Sequence, residues 1–469
     1  MGWMTEKPKW QPRPEQVRGI ELMVQDGTRL FLPPGKGKTS TVLKAFSILK
    51  DAGLVDALLV LAPLRVVATS WPQDLARWAD FDGLTHVLIH GGKTARIAAM
   101  ESQADVYLMN VEGLLTSEWK LGKGNALNPA AKKFLAGKRV MLAVDESTTF
   151  KNSQSSRFKT LRRYLPMLER VVIMTGTPKP GKVEDLFSQC YLTDGGRDLG
   201  QFVTHFRNEY MQLGYDGQWH EQPTAFKRVA ERIASTTLQL KDDEVVPLET
   251  VDLWVPMPPE MKRPYDELSQ EFITFLESGE KLLAKNAGSL LIKLRQLCQG
   301  ALWVSEDQCV DVHGAKLDVL ENLLAELGGE PLFALYAFRH DLTRINGRLG
   351  REVPYVGGGV SAQQGAAWCR QFGAGQLPLL LGHPQSVAHG VDGLQNNCSK
   401  ICWFGLPGWS WEQYYQANRR IQRHGTKADS VTVYRILIDC SIERAILATI
   451  EGKAASEAQF LGILREHLQ

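Results

Sequence analysis

The apolar run Leu30-Phe31-Leu32 ends abruptly in Pro33-Pro34-Gly35-Lys36-Gly37-Lys38-Thr39-Ser40, and a helix-forming run begins at Thr41. A strand that passes through a glycine turn straight into a helix is an α/β element, and its turn is built to hold an anion. Gly35 and Gly37 let the backbone curl with its N–H groups inward, Lys38 can reach the outer phosphates of a nucleotide, and Thr39 offers a hydroxyl to Mg²⁺. Lys36 and Ser40 complete the candidate nucleotide-binding set. The stricter motif has a further glycine where Leu32 stands, so this is the short Gly-x-Gly-Lys-Thr form, whose letters an ordinary surface turn can also show.

With 469 residues the chain exceeds one ordinary core, and about two or three domains are expected. Hydrophobic residues at 44% and charged residues at 23% are those of a globular protein. No apolar run reaches the length of a membrane span, and the first residues lack a leader's apolar core. Seven cysteines lie scattered with no Cys-x-x-Cys pair, which points to a reducing cytoplasm and reads Cys398 and Cys402 as buried free thiols. A net charge of +2 requires any nucleic-acid surface to be local.

Arg13-Pro14-Glu15-Gln16 precedes an amphipathic helix from Val17 to about Met23, and a glutamine there has the donor and acceptor needed to read adenine. The run 58–63 suits a buried parallel strand. A second, 139–144, ends in Asp145-Glu146, where ligands of open α/β sheets sit. The pair fits Mg²⁺ coordination by Asp145 and water activation by Glu146; it is also what an acidic helix start looks like. A third strand, 170–174, ends in Thr175-Gly176-Thr177-Pro178. Lys151, Arg157, Lys159, Arg162, Arg163 and Arg170, mixed with Asn152 and several serines, have the composition of phosphate contacts or of a solvated helix face. Strands recur at 331–338, 377–381, 401–404 and 431–436, so a second α/β lobe is expected. Arg420 and Arg423 are three apart and share a face on a predicted helix, as a basic face or as arginine fingers would.

Taken in order, Gln16, residues 35–39, Leu61-Ala62-Pro63, Asp145-Glu146, Lys151-Asn152 and Thr175 to Pro178 resemble the first lobe of superfamily-two helicases, in the Swi/Snf-like branch of DNA translocases. That branch usually reads Asp-Glu-Ala-His in its acidic motif. Here Asp145-Glu146-Ser147-Thr148 stands, so the histidine that links hydrolysis to the third motif is replaced by Thr148. Leu238 to Glu244 resembles the segment that closes the first lobe, without its paired arginines, and Gly314 to Leu317 resembles the entry to the second. Residues 383–395 are similar to the fifth motif, and Arg420, Arg423 and Gly425 to the sixth.

The resemblance implies an α/β fold of two RecA-like lobes with parallel sheets and a helical protrusion and linker in the chain between them. The expected division is lobe 1 at 1–195, helical protrusion and linker, including the end of lobe 1, at 196–310, lobe 2 at 311–450 and a C-terminal helix at 451–469. It implies ATP and Mg²⁺ as ligands. Lys38, Asp145, Glu146, Arg420 and Arg423 would be catalytic, with Thr39 and Asp145 on the metal. Arg13, Gln16, Gly35 to Ser40, Gly390 and Asp392 would bind nucleotide, and Thr148, Thr175 and Thr177 would couple hydrolysis to movement. DNA contacts are expected from Arg65, Ser70, Trp71, Asn110, Lys151, Asn152, Arg157, Lys159, Arg162, Ser386 and His389. The implied activity is a DNA-stimulated ATPase tracking on double-stranded DNA with little sequence preference, monomeric and away from membranes. Alternatives are a strand-separating DNA or RNA helicase, for which no separation pin is evident in the sequence, and a nucleotide-gated binding module. Nothing beyond the two lobes is evident, so a bacterial or bacteriophage member is expected.

Overall fold

Apolar residues in the strands alternate between two cores, and this alternation dictates a sheet covered on both faces. Leu58, Val60 and Ala62 enter one cluster with Leu30, Met141 and Val172; Leu59 and Leu61 enter the other with Phe31, Leu142 and Ile173. The computed structural model describes residues 7–176, 182–215, 217–240, 246–278, 284–305, 308–387, 393–423 and 426–453, without the side chains of 273–278, 284–287 and 453. It divides into two units, Met1–Asp243 and Glu244–Gln469.

Counting strands of the two large sheets, the first unit holds β1 (Thr28–Phe31), β2 (Ala57–Ala62), β3 (His86–Ile89), β4 (Val106–Asn110), β5 (Val140–Asp145), β6 (Arg170–Thr175) and β7 (Thr237–Gln239). Among the described residues they lie parallel in the order β3-β4-β2-β5-β6-β1-β7. The second unit holds β8 (Leu248–Val255), β9 (Leu332–Leu335), β10 (Tyr355–Val356), β11 (Leu379–Gly382), β12 (Lys400–Trp403) and β13 (Val431–Ile438), parallel in the order β8-β13-β12-β9-β11-β10. Its strands also alternate between two cores: Phe333 and Leu335 face one, Leu332 and Ala334 the other.

The segment 196–310 mixes helix and strand. It contains helices Val203–Tyr210, Ala225–Ile233, Pro259–Ser278 and Ala284–Gln299, and it also supplies β7 to the first sheet, β8 to the second and two small hairpins, the later of them ending at Asp311. The expected terminal helix falls almost wholly on residues after 453, outside the described residues. No helix among the described residues is long and apolar enough to cross a membrane. Cys398 and Cys402 are buried free thiols, as expected.

Several buried charges are paired. In the first unit the Arg96 guanidinium meets both oxygens of Glu118, which is 1% exposed. Burial alone would raise the Glu118 pKa, but the Arg96 fork and the Ser117 hydroxyl hold it at about 2, below its ordinary 4.5. A depressed folded pKa gives stability that is complete above the unfolded value and lost as pH falls through the folded one. Glu118→Gln is therefore expected to flatten the loss of melting temperature between about pH 5 and pH 2. Equal acid profiles for the two proteins in scanning calorimetry would show that other carboxylates carry that loss.

Candidate nucleotide site and nucleic-acid face

The glycine turn leaves β1 at its carboxyl end and closes into α2 (Lys38–Asp51). Gly35 and Gly37 both take the left-handed conformation, with φ of 80° and 73°. At Gly37 a side chain would be strained and its Cβ would lie 2.3 Å from Gln16 Nε2. As the N-cap of α2, Gly37 brings no capping side chain, so the first-turn N–H groups are left for an external anion. Two left-handed glycines leading into an uncapped helix fit a polyphosphate. Lys38 Nζ donates to Leu32 O at 2.8 Å, which sets its ammonium against the base of the loop.

Gln16 lies in α1 (Pro14–Gln25) and is 4% exposed. Its Oε1 accepts from Arg13 N at 2.8 Å and its Nε2 donates to Lys36 O at 3.2 Å. The amide expected to read adenine thus also ties α1 to the loop. Arg13 stands beside Gly37 and pairs with Glu15. Ser40 departs from expectation: its hydroxyl donates to Asp74 Oδ2 at 2.9 Å and the residue is buried. One position past Thr39 on a helix turns a side chain by about 100°, away from the loop.

The other expected residues meet the same sheet edge. Phe31 pairs in register with Thr175, and Asp145 with Met174, so the ends of β1, β6 and β5 lie within one residue of a common level. Strands sit about 4.8 Å apart, which puts the end of β5 roughly 10 Å from the loop. Asp145 is 7% exposed; its Oδ2 accepts from Trp71 Nε1 at 3.2 Å and its Oδ1 from Glu146 N at 3.1 Å. Glu146 has φ 57°, a left-handed conformation that costs a non-glycine residue about 1–2 kcal/mol. That kink throws the chain from β5 into the turn Ser147–Phe150, held by Ser147 Oγ donating to Gln189 Oε1 at 2.7 Å. Thr148, in the place of the missing histidine, is buried in that turn, and Thr175 has no exposed surface. Thr177, His389, Gly390 and Asp392 lie outside the described residues.

Of the expected DNA contacts, Trp71 is corrected. It has no exposed surface and belongs to the core, because its indole packs inward from α4 (Ser70–Arg77), which follows α3 (Leu64–Ala68), and bonds Asp145. Arg65, Ser70, Asn110 and Ser386 are half-buried, and Lys151, Asn152, Lys159 and Arg162 are exposed. The helix Ser156–Tyr164, capped by Ser155 Oγ, buries Phe158, Leu161 and Tyr164 and leaves its basic residues outside. Arg157 pairs with Glu112 at 3.0 Å, and Arg162 stacks 4.6 Å from the Tyr191 ring centre. Lys151 is fixed through its carbonyl, which accepts from Ser188 Oγ at 2.7 Å.

In the second unit, Arg420 and Arg423 do not lie on a helix face. The helix Trp411–Asn418 stops before them, and residues 419–423 form consecutive turns. Asn418 is held by Trp403 Nε1 at 2.9 Å, and the Thr426 hydroxyl donates to Arg423 O at 2.7 Å, taking a carbonyl that a continuing helix would use. Burial pushes His383 below its ordinary 6.5. No group of side chains that could hold a metal by itself occurs among the described residues. Asp74, Ser188 and Gln189 support the site without any motif to announce them.

A family model described as the SNF2-related domain matches residues 16–300. The chain belongs to the SNF2-related family. It is an SNF2-type ATPase core, an ATP hydrolase. Over 483 aligned residues this SNF2-related chain is 27% identical to protein p41 of Acyrthosiphon pisum secondary endosymbiont phage 1, covering 97% of this chain and 98% of that one. It is 22% identical over 279 residues to chromodomain-helicase-DNA-binding protein 8 of Danio rerio, covering 56% of this chain but 10% of that protein. A solved structure described as the Sulfolobus solfataricus SWI2/SNF2 ATPase core in complex with dsDNA is similar at 19% identity and a TM-score of 0.43, with 99% and 96% of the two chains covered.

Proposed function

We propose that this SNF2-type core is a DNA-stimulated ATPase that tracks along double-stranded DNA, acting as a monomer. The observation that carries the reading is the assembly, on one sheet edge, of the glycine loop, Asp145, Glu146 and Thr175. In it, the loop N–H groups and Lys38 hold the phosphates, and Gln16 and Arg13 flank the base. Thr39 and Asp145 would hold Mg²⁺, a hydroxyl and a carboxylate being hard oxygen donors. When bound, the metal neutralises charge on the β- and γ-phosphates. Glu146, turned out of β5 by its left-handed backbone, orients and deprotonates the attacking water. Arg420 and Arg423 stabilise charge on the transferred group when the second lobe closes, and reopening after hydrolysis shifts one set of DNA contacts against the other.

Exposed Lys151, Asn152 and Lys159 support backbone contacts, which carry little sequence information. A relative named for DNA binding supports the same substrate. Free cysteines and a phage relative support a place in the reducing cytoplasm of a bacterial host.

ATP turnover measured without nucleic acid and with single-stranded DNA, duplex DNA or RNA tests the reading, duplex giving the largest stimulation. Equal turnover in all four sinks it. Triplex displacement without unwinding of a forked substrate is expected of tracking, and fork unwinding would favour the helicase alternative. Lys151→Ala/Lys159→Ala is expected to weaken duplex binding and lower its log–log salt slope by roughly two, at about 0.9 per phosphate contact. An unchanged slope would make those lysines a solvated face.

A further inference from the structure

The two side chains read above as Mg²⁺ donors belong to different elements, Thr39 to the first turn of α2 and Asp145 to the end of β5. Sheet register sets the level of their backbones, and a third element, α4, reaches both. Trp71 Nε1 donates to Asp145 Oδ2 at 3.2 Å, and the hydroxyl of Ser40, the residue after Thr39, donates to Asp74 Oδ2 at 2.9 Å. Trp71 and Asp74 are three apart on α4 and so share a face. One helix face therefore touches the carboxylate on one side and the helix of the glycine loop on the other.

The two contacts have the chemistry of supports. An indole N–H donates and cannot accept, so Trp71 can hold the carboxylate but cannot replace it on a cation. Glu146 N donates to the other oxygen, Oδ1, at 3.1 Å, so each oxygen of Asp145 has an N–H set against it and the plane of the carboxylate is fixed. A carboxylate offers about four acceptor positions, and two N–H groups do not exhaust them. At the other contact a charged acceptor meets a hydroxyl, a stronger bond than a neutral pair makes. Ser40 is buried and joined directly to Thr39, so that bond also fixes the peptide from which the Thr39 hydroxyl projects. Trp71 and Asp145 are buried as well, which keeps water from competing for their bond.

We propose that Trp71 and Asp74 are positioning residues for the Mg²⁺ site: one face of α4 holds the Asp145 carboxylate and the start of α2 against each other, and so sets the two oxygen donors for a small cation. The inference rests on the reading of Thr39 and Asp145 as metal donors and adds to it the residues that aim them. Donors held in place favour Mg²⁺, which demands near-ideal octahedral geometry at about 2.0–2.1 Å, over Ca²⁺, which accepts flexible geometry at about 2.3–2.6 Å. Hydrogen-bond partners standing behind metal ligands are worth about 10–100-fold in metal affinity.

The test is calorimetric titration of ADP into the full chain with Mg²⁺, with Ca²⁺ and with neither, which reads each metal's contribution as a ratio of ADP affinities and involves no turnover. Trp71→Phe keeps an aromatic ring and removes the N–H. Asp74→Ala removes the acceptor of the Ser40 hydroxyl, and Asp74→Asn keeps an oxygen to accept it. The Mg²⁺ ratio is expected to fall on the order of tenfold in Trp71→Phe and in Asp74→Ala, to recover in Asp74→Asn, and to fall more than the Ca²⁺ ratio. A role in packing alone would move the titrations with and without metal together and leave the ratio unchanged, which overturns the proposal. Should Trp71→Phe fail to fold, the Asp74 pair decides it. Asp145→Asn separates the two readings. If it lowers the Mg²⁺ ratio while Trp71→Phe and Asp74→Ala do not, the positioning role alone is overturned; if it leaves the ratio unchanged, the metal reading of Asp145 fails and the positioning role falls with it.

Discussion

Replacing Arg423 by alanine is expected to lower ATP turnover on the order of a thousandfold while leaving nucleotide affinity nearly unchanged. A guanidinium offers planar donors to oxygens whose charge grows only as the phosphoryl group leaves, so its loss is felt in kcat and little in binding. The backbone at this position is pinned: Arg423 N donates to Ile421 O at 2.9 Å and Arg423 O accepts from Thr426 Oγ1. The turn fixes where the side chain leaves the backbone. Arg423→Lys should recover only a small part of the rate, since an ammonium lacks the planar fork. Single-turnover kinetics with labelled ATP separates the steps. Near-normal turnover in Arg423→Ala would remove the finger role from this residue.

Arg29→Ala is expected to cost the first lobe about 3–5 kcal/mol, the loss that follows when one partner of a buried ionic cluster is removed. Arg29 has no exposed surface and meets Asp194, Asp198 at 2.8 Å and the Thr236 hydroxyl. These bonds pull β1, the helix Glu184–Asp194 and the turn before β7 onto one cation. Without it, Asp194, at 2% side-chain exposure, is left as a buried carboxylate with no cation. Adding Asp194→Asn and Asp198→Asn to Arg29→Ala should return part of the loss, because neutral amides tolerate burial better than unpaired charge. Urea unfolding measures both. A cost under about 1 kcal/mol for Arg29→Ala would place the cluster among ordinary surface pairs.

The buried centre of each sheet was legible because parallel strands covered on both faces must be continuous apolar runs: 57–62, 140–145, 170–175 and 431–438 all announce themselves. The edges were not. Thr237–Gln239 is three residues with no period, and Leu248–Val255 carries Glu249 and Asp252 on an exposed border. Pairing partners far away in sequence make both into strands. The glycine loop and the acid pair were legible because their chemistry needs fixed residue types at fixed spacing. The side chains that orient them were not, since Asp74, Ser188 and Gln189 could stand in any polar segment. Arg420 and Arg423 misled in one respect: spacing of three reads as a helix face, and only the bonds of Asn418 and Thr426 end the helix first.

Trp71 began as a surface reader and ended as a bolt between α4 and the acid at the end of β5. The indole N–H claims one oxygen of Asp145, so the orientation of that carboxylate depends on where α4 sits. Arg65 and Ser70 lie on and just after the helix Leu64–Ala68 that leads into α4. The carboxylate is thereby tied to that pair of helices through a single hydrogen bond.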